Sequence, residues 1–552
     1  MRVGVRSGGR LLRLGIWLGV VYGLVEAAEV LALSLVPGAL SWRTGNSANI
    51  LWFAPLFYGA VALLPATAVA LLARPVPRLP WERILVFFMF AGGAFLALTL
   101  PGRVLGDLSA ALLALGVASV AARTYRRHAF RIERLADRTL VPLVGGVAIT
   151  ALLVLGTARV REARALAALP VAPLETPNVL LVIIDTQRAD HLSSYGYHRP
   201  TTPSLDRLAA EGTLFERAYS SSSWTLPAHA SLMTGRPLHE HRAGLMRRPY
   251  LDERHPTLAE VLRGAGYATG GFVANTFWVG RQTGLDRGFI RYEDFWGNPG
   301  DAVARTALGR RLAYDVLPRF GVVVDVPGRK RAAEINRDLL RWVDRLGDRP
   351  FFAFVNYFDV HGPYLPPPPF AGRFSGDGAR GREKKLDIGA LTSDIVVPPP
   401  EVIRAMIDGY DESLAYLDAE FGKLLIALEE RGILDRTVVI VTSDHGESWG
   451  EHGMMYHGHS LYHEQLHVPL IVRYPAAFRA GVRESRAVGI QQIPATIPEL
   501  AGVEAHAFPG ESLREGPDSG PLSPPVLAEV GRRSLVAANW PSSRGWLRSL
   551  LT

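Results

Sequence analysis

The chain is 552 residues long, carries 60 Lys and Arg against 52 Asp and Glu for a formal charge of +8, and contains no cysteine. A disulfide framework is therefore excluded, and an enzyme working outside the cytoplasm can do without one. The positive excess comes from arginines, many beside apolar stretches, with no nucleic-acid-binding motif, so the balance favours membrane lipids with anionic headgroups over nucleic acid.

The amino-terminal third predicts a membrane region, residues 1–158. Apolar stretches fall at Leu11–Val36, Ile50–Ala73, Ile84–Leu100, Val104–Ala122 and Leu140–Ala158, each near the ~20 residues a bilayer requires. Arginines gather before the first stretch, after the second, and between the fourth and fifth (Arg123, Arg126, Arg127, Arg131, Arg134, Arg138). By the positive-inside bias the amino terminus is cytoplasmic, and five spans export everything that follows. The expected location is thus the cytoplasmic membrane, with residue 178 onward on its outer face. Arg159, Arg161 and Arg164 run against this scheme. Glu26 and Glu29 lie inside the first span at a spacing that puts them on one helix face. At that depth they read either as a functional pair or as a hydrogen-bonded helix interface.

Residues 159–177 form an Ala/Pro-rich linker, too proline-dense near Leu169–Pro177 for continuous helix. Beyond it, three apolar runs each stop on polar residues. Asn178–Ile184 ends on Asp185, Thr437–Ser443 on Asp444 and His445, and Phe351–Phe358 on Asp359 and His361. Such runs, alternating with helical patterns, predict buried parallel strands. Ligands of open α/β sheets bind beyond the carboxyl ends of the strands, so the three endings predict one metal-bearing site. Thr225, just ahead of Pro227 and a helical stretch, is expected as a helix N-cap whose neighbouring N–H groups favour a bound anion and a developing alkoxide. A helix is expected at Val402–Arg431, a surface loop at 370–397, and weak strand character at Ser534–Trp540.

These residues resemble the sulfatase branch of the alkaline-phosphatase superfamily. The resemblance rests on Ile183-Ile-Asp185-Thr186, Asp185-Thr-Gln-Arg188-Ala-Asp190, Thr225-Leu-Pro227-Ala-His229, Thr234-Gly-Arg236, His361-Gly-Pro-Tyr364, Tyr416-Leu-Asp418 and Ser443-Asp444-His445-Gly446, and runs from about Asn178 to Leu500. It implies an α/β/α sandwich with a mostly parallel central sheet at 178–505, and a small carboxy-terminal sheet shortened here to 506–552. It also implies one divalent metal on Asp185, Asp444 and His445 with Thr225 as a further ligand, and substrate contacts from Thr186, Arg188, Asn275 and Arg236.

The departures reshape the expected chemistry. Sulfatases convert a cysteine or serine to formylglycine; Thr225 cannot become an aldehyde, because its carbinol carbon carries a methyl group. An alkoxide of Thr225 resembles instead the membrane phosphoethanolamine and phosphoglycerol transferases of the superfamily. His445 replaces the family asparagine, and an imidazole among carboxylates suits Mn²⁺ or Zn²⁺ better than Ca²⁺. His229 replaces the family arginine, and counting back from Glu464 puts the family's downstream lysine on His459. The expected mechanism is attack by Thr225 on phosphorus, with His361 or His459 protonating the leaving alcohol. Three readings follow: a membrane-anchored hydrolase of phosphate, phosphonate or sulfate esters on a lipid, glycan or small molecule; a transferase moving a lipid headgroup onto a glycan or lipid; and a non-catalytic binding module on the same fold.

Overall fold

The computed structural model describes residues 2–34, 48–99, 105–173, 175–245, 250–294, 299–320, 325, 329–375, 397–503, 507–514, 525–531, 542 and 545–551. It divides into two compact units, Met1–Ala163 with Pro299–Pro327, and Arg164–Asn298 with Gly328–Thr552.

The first unit holds helices α1 (Arg2–Ser34), α2 (Ile50–Val61), α3 (Leu63–Leu72), α4 (Trp81–Thr99) and α5 (Asp107–Ala167). Four helical stretches, 8–33, 50–72, 81–99 and 107–167, are long and apolar enough to cross a membrane. Gly15, Gly19 and Gly23 line one face of α1, where a Cβ would lie 2.6 Å from Ala66 Cβ, 2.3 Å from the Tyr58 carbonyl oxygen and 2.5 Å from the Ala54 carbonyl oxygen. Small residues at this spacing let helix backbones approach closely, which is how helices associate in lipid. The arginine-rich stretch expected as a loop between the fourth and fifth spans is helical, broken only at His128 (φ −128°, ψ 19°). Beyond that break Glu133, Asp137 and Thr139 bond to Arg10, Arg13 and Trp17 in turn. The partners advance along α1 as α5 proceeds, so this part of α5 runs in the direction of α1. Helix continues to Ala167, which confines the non-helical tether to the proline-rich end of the expected linker.

The second unit is built on an eight-stranded sheet. Strands β1 (Asn178–Ile184), β2 (Thr213–Tyr219), β3 (Ala268–Val273), β4 (Arg291–Glu293), β5 (Phe351–Tyr357) and β6 (Thr437–Thr442) are joined by Leu470–Arg473 and Val482–Gly489. Across the sheet the order is Val482–Gly489, β2, Leu470–Arg473, β6, β1, β5, β3, β4. Only Leu470–Arg473 runs against its neighbours among the described residues. All seven residues of β1 and of β5, and all six of β6, are buried. That is why these runs read as unbroken apolar stretches: helices cover both faces of the sheet.

Register carries the polar endings to one edge. Ile183 lies opposite both Thr442 and Asn356, and Val273 opposite Asn356. Asp185, Asp444 and Asn275 therefore follow within two residues of the last paired positions of β1, β6 and β3. The expected helix is present at Pro400–Glu430. An antiparallel ribbon of Val526–Val530 with Leu547–Leu551 forms the carboxy-terminal segment. Residues 376–396 of the expected loop and Ser534–Trp540 lie outside the described residues.

Candidate active site

The centre lies where β1 and β6 end. Asp185, Asp444 and His445 are fully buried, with one ligand atom from each within 4.8 Å of the others. The His445 Nδ1 lies 2.9 Å from the Gly446 carbonyl oxygen, which can only accept, so Nδ1 carries the proton and the Nε2 lone pair faces inward. That Nε2 is 3.3 Å from Asp444 Oδ2, 3.9 Å from Asp185 Oδ1 and 3.3 Å from Thr225 Oγ1.

Each ligand is held from behind. Asp444 Oδ1 accepts the backbone N–H groups of Thr186 and His445, and the Ser220 hydroxyl donates to the Asp444 carbonyl. Asn275 Nδ2 donates to Asp185 Oδ2 at 2.8 Å. Asn275 is fixed in turn by its own N–H, 2.8 Å from Asn356 Oδ1 at the end of β5, and by accepting the N–H groups of Phe277 and Trp278. Thr186 aims its amide at Asp444 from a left-handed conformation (φ 60°), a strained setting for a β-branched residue.

The two oxygens that face the centre, Asp185 Oδ1 and Asp444 Oδ2, have no hydrogen-bond partner among the described residues. Burial, reinforced at Asp444 by repulsion from Asp185, holds both carboxyls above the usual carboxylate range. Burial likewise holds the His445 imidazole well below its ordinary value. Two buried carboxylates beside a neutral imidazole lone pair are unfavourable without a cation and complete with one. The donor set thus fits a divalent metal held by Asp185, Asp444 and His445.

Helix α7 (Thr225–Thr234) starts at this centre and ends at Gly235, whose φ of 67° closes it. The capping residue is Trp224 and its side chain makes no cap. Thr225 is thus the first helical residue rather than the expected N-cap. Its hydroxyl is not engaged in capping and turns to His445. His229, one turn on, places Nδ1 2.9 Å from the Thr225 carbonyl and 3.4 Å from Asp444 Oδ2. Burial lowers its pKa to about 4, so it is neutral and cannot serve as the cationic clamp of the family arginine.

Two further imidazoles close the site. His361 Nδ1 lies 2.8 Å from the Gly362 carbonyl, and burial lowers its pKa to about 3. Its turn is fixed by Arg329, which donates to the carbonyls of His361, Gly362 and Pro363. His457 packs 4.4 Å from the His445 ring and 5.2 Å from the His361 ring, measured between centroids. Its Nδ1 is 2.9 Å from Glu447 Oε1, and burial pushes the Glu447 carboxyl up to about 8. The expected position, His459, instead sets Nε2 2.7 Å from the Met455 carbonyl.

A sequence profile of the sulfatase family matches residues 177–503. The chain belongs to the sulfatase family. It is 24% identical over 442 residues to an N-acetylglucosamine-6-O-sulfatase of Bacteroides thetaiotaomicron, a match covering 66% of this chain and 72% of that protein. It is 27% identical over 394 residues to the multifunctional alkaline phosphatase superfamily protein PehA of Trinickia caryophylli, covering 61% and 76%. Among solved structures, the phosphonate monoester hydrolase of Agrobacterium radiobacter shares the fold with a TM-score of 0.54 at 22% identity, covering 68% of this chain and 85% of that one. The chain is accordingly a sulfatase-family ester hydrolase with the family's mostly parallel sheet.

Against that framework, four expected residues serve the site differently. Thr186 directs its hydroxyl to the Asp185 and Val360 carbonyls. The Arg188 guanidinium is engaged by Asp190, Glu451 and the Glu447 carbonyl. Asn275 orients Asp185. Arg236 pairs with Glu240 beyond the far end of α7, about 15 Å along a ten-residue helix from Thr225. Asp359, at the third strand ending, accepts the Ala332 N–H at the start of helix Ala332–Val343 and is a structural acid.

Proposed function

We propose that this chain is a membrane-anchored, metal-dependent hydrolase of phosphate-, phosphonate- or sulfate-type esters with Thr225 as its nucleophile. The observation that carries the reading is the Thr225 hydroxyl, at the first turn of α7, 3.3 Å from the inward-facing Nε2 of His445 and beside two partnerless carboxylate oxygens. A metal held by Asp185, Asp444 and His445 would lower the pKa of this hydroxyl and polarise a substrate oxygen; the imidazole among carboxylates favours Mn²⁺ or Zn²⁺ over Ca²⁺.

The chain's own groups supply the rest. Thr225 gives up its hydroxyl proton to solvent and Oγ1 bonds to phosphorus in line as the bond to the leaving oxygen breaks, while the opening N–H groups of α7 face the developing charge. The leaving alcohol takes a proton from His457, which is hydrogen-bonded to Glu447. Water then attacks phosphorus, the bond to Oγ1 breaks, and Thr225 is regenerated. Hydrolysis is preferred over headgroup transfer because the sulfatase relative above is named for sulfate-ester cleavage.

The test is mass spectrometry of protein quenched during turnover of an aryl phosphonate ester and after incubation with lipid extract. A phosphoryl- or phosphonyl-bearing peptide containing Thr225 supports the reading. Turnover with the adduct on another residue, or with no adduct at any quench time, overturns it. The location rests on the expected five passages, with α5 counted as two on either side of its break at His128, and on an inside amino terminus, which would put the catalytic residues outside the cytoplasmic membrane.

A further inference from the structure

Glu26 is the ionisable residue of the first apolar helix with the best-defined surroundings, and they include a piece of chain from far along the sequence. It is 1% exposed. Its Oε2 accepts the Tyr58 hydroxyl at 2.6 Å and the Tyr22 hydroxyl at 3.3 Å. Its Oε1 accepts the backbone N–H of Ala307 at 3.0 Å, and the next amide, Leu308, donates to the Tyr58 oxygen at 3.1 Å. Residues 307 and 308 lie inside the stretch matched to the sulfatase family, yet the segment Pro299–Pro327 belongs to the same compact unit as the apolar helices.

The segment's remaining contacts lie on one rim of that unit. Ala307 and Leu308 pack with Ala27 and Val30 near the end of α1, Ile50 and Ala54 at the start of α2, and Leu96 at the end of α4. Arg311 pairs with Asp107 at the start of α5 (2.7 Å) and lies over the Phe95 ring. Ends of α1 and α4 and starts of α2 and α5 coincide in a bundle whose helices alternate in direction. Further along, Leu312, Val316, Leu317 and Phe320 are exposed, Phe320 by 80%. A run of uncovered apolar side chains beside charged ones suits the boundary between headgroups and acyl chains.

We propose that residues 299–320 are a docking element by which the catalytic chain returns to the membrane region, latched by Glu26 and Tyr58. It is a second attachment, independent of the proline-rich tether. Glu26 is the residue that makes it specific. An intramembrane carboxylate is costly unless fully hydrogen-bonded, and here two hydroxyls and a returning amide complete it. Losing the segment would leave Glu26 and the 307 and 308 amides short of partners at once.

The experiment introduces a protease site within residues 171–176, cuts the full-length protein in mild detergent, and follows the two fragments by size exclusion. Wild-type fragments are expected to co-elute. Co-elution should be lost in Glu26→Leu and kept in Glu26→Gln, which retains an acceptor oxygen. Hydrolysis of a soluble ester should change less than twofold in both variants. Wild-type fragments that separate, or Glu26→Leu fragments that stay together, overturn the proposal. Should Glu26→Leu fail to accumulate, a bis-maleimide on Asp107→Cys/Arg311→Cys, in a chain with no other cysteine, should join the cut fragments into one band. Two separate bands refute the docking.

Discussion

Replacing Thr225 by alanine isolates the nucleophile from the metal site around it. The side chain is 1% exposed and its hydroxyl meets His445 Nε2 at 3.3 Å. Its loss removes one long hydrogen bond, with a cost to stability of about 1 kcal/mol. Asp185, Asp444 and His445 are untouched, so metal content should stay near the wild-type stoichiometry. Turnover should fall by about 10⁴-fold or more, as when the nucleophile of a covalent mechanism is removed. Thr225→Ser keeps the hydroxyl and should hold kcat within about tenfold. The assay pairs steady-state hydrolysis of an aryl phosphonate ester with metal analysis of the same preparations. A Thr225→Ala protein that binds metal and turns over within tenfold of wild type would refute the nucleophile, and water would then be the attacking group.

Four other outcomes follow from the geometry. After chelation, Mn²⁺ or Zn²⁺ should restore activity better than Ca²⁺ because His445 is a donor; recovery with calcium alone would remove His445 from the ligand set. His457→Gln and Glu447→Gln should lower kcat for alkyl esters by 10²-fold or more but for nitrophenyl esters by less than about tenfold; equal losses for both would make the pair structural. His241, buried with Nε2 on Ser231 and Nδ1 accepting from Ala243, has its pKa lowered by burial to about 3. Its contribution is present above pH 6.5 and lost as pH falls toward 3, roughly 3 kcal/mol of it by pH 4.5, so His241→Asn should flatten the acid limb of a thermal-melt series. Reporters fused near Arg127 and after Pro177 should mark opposite sides of the membrane, the first cytoplasmic; a cytoplasmic signal from both would imply an even number of passages.

The sheet and the cluster of candidate metal-binding residues were legible because both rest on local patterns. A run buried on both faces must be apolar throughout, and the residue ending it stands at the sheet's functional edge. Register then does what sequence cannot show, bringing Asn275 from β3 and Asn356 from β5 into line behind Asp185. Asp359 illustrates the limit: its place at a strand end matches Asp185 and Asp444, yet it caps a helix. The role proposed for His457 over His459 was not legible because the intervening turn is not countable. Gly450, His452, Gly453, Tyr456 and Gly458 all take positive φ, so spacing along 450–458 does not predict which imidazole reaches the site. The substrate contacts expected of Arg188 and Arg236 meet a different limit. A motif names the residue type, whereas the partners that neutralise it (Asp190, Glu451, Glu240) are set by the fold. Nothing local in 299–320 announces that its amides belong with Glu26.

The choice between phosphorus and sulfur turns on what the protein must do to release its intermediate. An aldehyde hydrate can expel sulfate by breaking its own carbon–oxygen bond; Thr225 has no second hydroxyl on that carbon. If Thr225 is the nucleophile, its ester must be cleaved by a second attack at the central atom. His457 packs against both His361 and His445, whose Nε2 meets Thr225, so the groups for a threonine-dependent and a water-dependent step are close together. Charge bears on a separate choice. His229 is neutral where the family carries arginine. With no cation at that position, the proposed reaction would favour monoanionic over dianionic esters. A sulfate monoester, a phosphonate monoester and a phosphodiester all meet that condition, so the second attack, ready at phosphorus and not at sulfur, is what favours phosphorus.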